Sequence, residues 1–342
     1  MILFRADGNA QIGSGHIMRS LSIADAFRVK QKTCLFVLAD KTFQSFIEDR
    51  GYETCILDSD YRDMDAELEK IKQIVCSYNP QMIIFDSYYV TRKYLQELKS
   101  LARLIYIDDL ASFAYPVDVL VNYNAYGPNI DYNKLYFNEK ILLPKTILGI
   151  RYAPLRGMFQ CVSKREQSKE VKNILVSTGG ADSIHLALRL VQYIACDTQS
   201  QAYHFLVGAM NSDFARIKKN AEKNSNIHIH HNVKNMKSLI SSCDLAVSAA
   251  GSTMYEIAAC GVPMITYVLA DNQIYGAEAF DKLGLAVSCG DLRNKEDVAK
   301  TLMNSVDRLA KDFILRKQIG EKMQHMVDGF GANRLVEKLL EF

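Results

Sequence analysis

Arg5-Ala-Asp7-Gly-Asn-Ala-Gln-Ile-Gly13-Ser-Gly15-His16-Ile-Met-Arg19-Ser20 follows directly on an apolar run, Met1 to Phe4, and its reading decides the fold. The apolar run is a strand. The chain then breaks at two glycines and restarts as a helix, on which Ile17, Leu21 and Ala24 recur at spacings of four and three. A glycine-rich turn of this kind offers free backbone N–H groups and the positive end of a helix dipole to an anionic or strongly polar ligand. His16 stands where the helix starts. Gly-x-Gly turns are common in α/β proteins, so the loop gains meaning from its histidine and from a second such loop further on.

Outward from that loop, short apolar runs alternate with amphipathic ones. Cys34 to Leu38, Glu53 to Leu57, Met82 to Phe85, Leu104 to Ile107 and Val117 to Val121 read as strands, and Thr42 to Arg50, Asp65 to Ser77 and Thr91 to Leu101 as helices. This alternation predicts a parallel, doubly wound sheet, whose ligands bind beyond the carboxyl ends of the strands. Those ends carry Arg5 and Asp7, Asp86-Ser-Tyr88, Asp108-Asp109 and Asn122-Tyr-Asn124. Between about Gly149 and Glu170 the pattern lapses, and a second unit opens with a strand at Asn173 to Thr178, a turn at Gly179-Gly180 and a helix from Ser183 to Ala195. His204 to Gly208, Ile227 to His230, Leu245 to Ser248 and Pro263 to Val268 supply its further strands. The predicted organisation is an N-terminal Rossmann-like domain over residues 1–150 carrying the histidine loop, and a linker over 151–172. A C-terminal Rossmann-like domain follows over 173–342, with a helical tail able to pack back on the first domain. Two such folds in one chain imply facing domains with a cleft between them.

The second loop is Gly251-Ser252-Thr253-Met-Tyr-Glu256, between the strand ending near Ser248 and a helix stopped by Gly261. Thr253 and Glu256 have the spacing of a capping box, which would make Glu256 a purely local residue. In the functional alternative, Gly251, Ser252 and Thr253 hold a diphosphate at the helix start and Glu256 accepts hydrogen bonds from the ribose diol. Asp271-Asn272-Gln273 follows the next strand, and its amides suit acetamido and hydroxyl groups.

Composition excludes several classes. The chain of 342 residues is comfortable for two domains, its formal charge is only +2, and its Lys and Arg are scattered, which gives no case for nucleic acid. No apolar run is long enough to span a membrane. Eight cysteines are spread singly without a Cys-x-x-Cys pair, which suggests buried, reduced thiols in a cytoplasmic protein. A chain that opens on a strand leaves no signal peptide expected. Asp108-Asp109 lacks further ligands at metal-binding spacing, and His228, His230 and His231 have no cysteine near them in sequence, so no metal and no cofactor are expected. The expected state is a monomer.

The motif Phe4-Arg-Ala-Asp7…Gln-Ile-Gly13-Ser-Gly15-His16-Ile-Met-Arg19-Ser20 resembles the opening of PseG-type hydrolases, which act on UDP-2,4-diacetamido-2,4,6-trideoxy-β-L-altropyranose in pseudaminic acid biosynthesis. Similarity continues through Asp86-Ser-Tyr88, Ile107-Asp-Asp109, Asn122-Tyr-Asn-Ala-Tyr126, Leu155-Arg156, Gly179-Gly-Ala-Asp182, Ser248 to Glu256 and Asn272-Gln273. The resemblance implies the GT-B fold of MurG-like enzymes and release of UDP and the free sugar, with His16 as base. It also implies substrate contacts from Gly13, Gly15, Arg19, Asp86, Tyr88, Arg156, Gly179, Gly180, Gly251, Ser252, Thr253, Glu256, Asn272 and Gln273. Ser87 departs from the pattern, since some relatives carry His there. A MurG-like glycosyltransferase using a UDP-sugar donor, and a non-catalytic nucleotide-sugar-binding protein, are the alternatives.

Overall fold

The computed structural model describes residues 1–9, 11–179, 182, 184–195, 200–208 and 211–342. Gly180 and Ser183, and Cys196 among the eight cysteines, lie outside them. The chain divides into two compact units, one of Met1–Gly157 with Phe330–Phe342 and one of Met158–Gly329.

The first unit runs β1 (Ile2–Ala6), α1 (Gly15–Val29), β2 (Cys34–Leu38), α2 (Gln44–Glu48), β3 (Glu53–Ile56), α3 (Leu68–Tyr78) and β4 (Met82–Asp86). It continues through α4 (Arg92–Leu98), β5 (Arg103–Ile107), β6 (Val119–Asn122), α5 (Tyr132–Asn138) and β7 (Lys145–Leu148). The strands lie in the order β3-β2-β1-β4-β5-β6-β7, and every pairing is parallel. Strands covered by helices on both faces read as unbroken apolar runs, and β2 and β4 are buried along their whole length. β7 was not anticipated; its sequence, Lys145-Thr-Ile-Leu148, has an edge strand's exposed start and only one buried side chain. Helix boundaries contract relative to the periodicity: Thr91, read as helical, is the cap of α4 and accepts the amide of Tyr94 at 3.0 Å.

Along β1, side chains alternate between faces. Phe4 packs edge-on against Phe27 of α1, with ring centroids 6.3 Å apart, whereas Leu3 joins the core formed with α3 and α4. Arg5 points to that second face and is wholly buried. Its guanidinium donates to Glu67 Oε1 at 2.6 Å and Oε2 at 2.9 Å, and to Asp7 Oδ2 at 2.5 Å. Glu67 also accepts the hydroxyls of Tyr94 and Ser59. Burial opposes the charge on Arg5, but Asp7 and Glu67 more than offset it and raise its proton affinity above the ordinary arginine value. Arg5 is therefore a strut of the first unit rather than an open strand-end residue.

The second unit runs β8 (Asn173–Ser177), α6 (Leu186–Ala195), β9 (Ala202–Val207), α7 (Phe214–Ala221), β10 (Ile227–His231), α8 (Met236–Ser241) and β11 (Leu245–Ala249). After these come α9 (Thr253–Ala259), β12 (Met264–Val268), α10 (Ile274–Lys282), β13 (Val287–Asp291), α11 (Val298–Lys311) and α12 (Phe313–Met326). Its sheet, also parallel, has the order β10-β9-β8-β11-β12-β13. β13 extends the sheet beyond β12, although Val287-Ser-Cys-Gly-Asp291 is too polar and too glycine-interrupted to announce a strand. The last helix, α13 (Gly331–Glu341), packs with the first unit, on α1 and the turn at 150–152. Gly331 makes this approach feasible, because a Cβ there would stand 2.1 Å from the carbonyl oxygen of Ala153.

The seven described cysteines are all free thiols. Cys34, Cys243 and Cys260 are buried, Cys55 and Cys289 half-buried, and Cys76 and Cys161 exposed. Among the described residues no helix is long and apolar enough to cross a membrane.

Removing Glu67 strands a buried guanidinium. Glu67→Ala should destabilise the first unit by about 3–5 kcal/mol, the usual penalty for breaking a buried pair from one side. Urea unfolding followed by circular dichroism measures it, and a loss under 1 kcal/mol would show that Asp7 alone satisfies Arg5.

Candidate active site

The turn between β1 and α1 is built by Asn9. Its Oδ1 accepts the amides of Gln11 at 2.9 Å and Ile12 at 3.0 Å, and its carbonyl accepts the amide of Gly13 at 2.8 Å. Gly13 has φ +74°, the left-handed region that suits a residue without Cβ. Three amides of the turn, those of Gln11, Ile12 and Gly13, are thus taken by Asn9. What the turn delivers is a fixed start for α1 at Gly15, after Ser14, so that His16 and Arg19 lie three apart on one face of the helix.

Both side chains turn inward to the carboxyl ends of β4, β5 and β6. His16 Nδ1 lies 2.5 Å from Asp86 Oδ1. A carboxylate accepts only, so Nδ1 carries a proton, and in the neutral ring the lone pair is then on Nε2. Arg19 Nη2 lies 3.0 Å from the same Nδ1, but two donors do not bond to each other; both converge on Asp86 Oδ1. Arg19 Nε also donates to Asp86 Oδ2 at 2.5 Å, making a two-point fork, and Nη1 reaches Asp109 Oδ2 at 2.9 Å and the Tyr123 hydroxyl at 2.8 Å. Tyr88 donates its hydroxyl to Asp109 Oδ2 at 3.0 Å, and its ring meets His16 edge to face at 4.7 Å. Asn124 donates to Asp109 Oδ1 at 2.8 Å.

Asp86 is 1% exposed. Burial alone would raise its carboxyl; Arg19 and His16 overcome that and hold it well below the usual carboxylate range. Arg19 is likewise buried, and Asp109 and Asp86 raise its proton affinity against the effect of desolvation. The two neighbouring aspartates part company. Asp108 turns into the protein, taking the amides of Leu110 and Ala111 and the hydroxyl of Tyr132, and burial pushes its carboxyl up. Asp109 instead faces Arg19, Tyr88 and Asn124.

Of the residues implied by resemblance, His16, Arg19, Asp86 and Tyr88 thus form one cluster, Gly13 and Gly15 shape the turn before it, and Arg156 lies half-buried at the end of the first unit's connecting segment. The cluster also takes in Asp109, Tyr123 and Asn124. Their signal was position alone, since all three follow strand ends.

In the second unit, Gly179 (φ +80°) turns the chain out of β8. Asp182 then accepts the amides of Leu186 at 2.7 Å and Ala187 at 2.9 Å, so the start of α6 is capped by the protein's own carboxylate. Gly251, Ser252 and Thr253 form the turn from β11 to α9. Ser252, not Thr253, is the N-cap, and its side chain makes no capping bond, so Thr253 and Glu256 do not occupy the positions of a capping box. Asn272 and Gln273 lie in a short turn after β12, where Gln273 Oε1 accepts the amide of Leu269 at 2.8 Å. His228 and His230 flank His204 in stacked array, at ring distances of 5.0 and 5.2 Å, while His231 packs on Phe214.

Residues 169–326 match the glycosyltransferase family 28 C-terminal domain. An uncharacterised protein of Methanocaldococcus jannaschii is 28% identical over 78% of this chain and 55% of its own length. A UDP-2,4-diacetamido-2,4,6-trideoxy-beta-L-altropyranose hydrolase of Campylobacter jejuni is 23% identical over 75% of this chain and 86% of its own. A Helicobacter pylori protein named pseudaminic acid cytidylyltransferase and UDP-2,4-diacetamido-2,4,6-trideoxy-beta-L-altropyranose hydrolase is 28% identical over 70% of this chain and 43% of its own. The chain thus spans about half the length of the archaeal and Helicobacter relatives. MurG of Acinetobacter baumannii superposes with a TM-score of 0.68 at 13% identity, over 100% of this chain and 99% of that one. The fold is GT-B, with two parallel-sheet Rossmann-like domains, and the resemblance to PseG-type hydrolases extends to relatives that carry that name.

A carboxyl whose folded proton affinity is depressed stabilises the fold above its unfolded titration range, near pH 4, and loses that contribution as pH falls toward its folded value. Wild-type stability should therefore drop as pH falls below about 4. Asp86→Asn should flatten this slope, as read from thermal unfolding between pH 2 and 5; an unchanged slope would remove Asp86 as its source.

Proposed function

We propose that this chain is a hydrolase of a UDP-diacetamido-trideoxy sugar, cleaving it at the anomeric carbon to give UDP and the free sugar, 6-deoxy-AltdiNAc, in pseudaminic acid biosynthesis. The observation that carries the reading is the His16–Asp86 pair, an imidazole with one nitrogen pinned by a carboxylate and the other keeping its lone pair. Such a group takes a proton from water as the oxygen attacks carbon. The bond between the anomeric carbon and the β-phosphate oxygen breaks, its electron pair leaves with UDP, and the proton rests on Nε2. The two relatives named as hydrolases support the choice of substrate.

In this reading UDP is held by the second unit, through Gly251, Ser252, Thr253 and the ribose-binding Glu256, with Asn272 and Gln273 toward the sugar. Gly179 and Gly180 attend the phosphates, and Tyr88 and Arg156 the sugar. The match to a glycosyltransferase domain favours a second reading, in which His16 deprotonates an acceptor hydroxyl instead of water. Incubation with a panel of UDP-diacetamido sugars, following UDP release without any acceptor, separates the two. UDP formation in water alone is the expected result, and a strict requirement for a sugar or lipid acceptor would overturn hydrolysis.

His16→Asn keeps much of the side chain's shape while deleting the base. It should cost about 10²–10⁴-fold in kcat, and the variant should lose the acidic limb of the pH–rate profile. Turnover within a few-fold of wild type would sink the mechanism. Glu256→Ala should weaken UDP binding by the worth of one or two charge-assisted hydrogen bonds, roughly 1.5–3 kcal/mol each. Calorimetric titration with UDP measures this, and a wild-type isotherm from the folded variant would exclude Glu256 as the ribose ligand.

A further inference from the structure

We propose that Asp109 is a positioning residue for the His16 base, supplying the negative charge that a proton on the imidazole balances. The inference rests on the reading of His16 as the base and extends it to a side chain that does not touch the ring.

The buried cluster holds one guanidinium, Arg19, between two carboxylates, Asp86 and Asp109. With His16 neutral, the group carries one surplus negative charge; with His16 protonated, it is balanced. In a buried site such a balance matters more than it would in water. Arg19 links the two carboxylates, forking onto Asp86 and reaching Asp109 at 2.9 Å. Asp86 alone would be neutralised by that guanidinium. Asp109 draws part of Arg19's charge to itself and so leaves Asp86 able to stabilise the imidazolium.

The groups around His16 are accounted for element by element. From α1 come Arg19 and Ser20, the latter 3.5 Å from Asp86 Oδ2. The end of β4 gives Asp86 and, beyond it, Tyr88; the end of β5 gives Asp109; the end of β6 gives Tyr123 and Asn124. Tyr88 and Asn124 are neutral donors and hold Asp109 in place without cancelling its charge. The charged residues at the end of β1, Arg5 and Asp7, pair with each other and with Glu67.

The test uses the whole chain, labelled in its histidines, with His16 followed by NMR as pH is varied and identified by its loss in His16→Asn. Asp109→Asn keeps the size of the side chain and removes its charge. Both the His16 titration midpoint and the acidic limb of the kcat/KM profile should move to lower pH by about half to one unit, with UDP affinity unchanged. A midpoint that stays put in folded Asp109→Asn overturns the proposal. A midpoint that moves while His16→Asn still turns over upholds the proton coupling and rejects His16 as the base. Should Asp109→Asn not fold, Tyr88→Phe removes one donor from Asp109 and leaves every charge in place. Its midpoint should move to higher pH, and no movement again overturns the proposal.

Discussion

A carboxylate at the end of β4, only 1% exposed, is the constraint on which the first unit's site depends. An ionised group in that position is tolerated only if it is paired and hydrogen-bonded on both oxygens. Asp86 meets the condition with two residues of one helix: His16 on Oδ1, and Arg19 on both. The requirement acts backward on the chain. α1 must begin at Gly15 for the two side chains to reach one carboxylate, and the Asn9–Gly13 turn sets that start. What looks like a ligand-cradling glycine loop is, in its first half, a device for aiming a helix.

This explains which parts of the molecule were legible. The parallel sheets announced themselves because strands covered on both faces become apolar runs, and the main strands of both units lie where those runs are. β7 and β13 were missed because edge strands need not be apolar. At the site, His16 stood out by chemistry and Asp86 by its place at a strand end. That Asp86 bonds to His16 across 70 residues follows from the adjacency of β1 and β4, which no local pattern encodes. Asp108 and Asp109 were indistinguishable in sequence. The turn after β5 separates them, sending one to a backbone-capping role and the other to Arg19.

The second unit shows how local rules mislead. Thr253 and Glu256 have capping-box spacing, yet α9 starts with Ser252 as its cap, which shifts the frame by one residue. The same kind of helix start after β8 is capped by Asp182. Asp182 occupies two amides at the start of α6, whereas the Ser252 side chain makes no capping bond at α9. The two turns share their glycines but differ in how their helix starts are capped.

The first sheet offers an internal control for reading charge clusters. Arg5 stands between two carboxylates, Asp7 and Glu67, as Arg19 stands between Asp86 and Asp109. The two groups have the same charges and lie on opposite faces of adjacent strands, as the two-residue alternation of side chains requires. They differ in what meets the surplus negative charge. Around Arg5 it is met by the hydroxyls of Tyr94 and Ser59 and the amide of Ala39, none of which exchanges a proton near neutral pH. Around Arg19 the neutral donors Tyr88 and Asn124 are joined by an imidazole, the one side chain whose ordinary titration lies there. An arginine flanked by two acids is thus, by itself, a strut; with a histidine on one of the acids it becomes a place to put a proton.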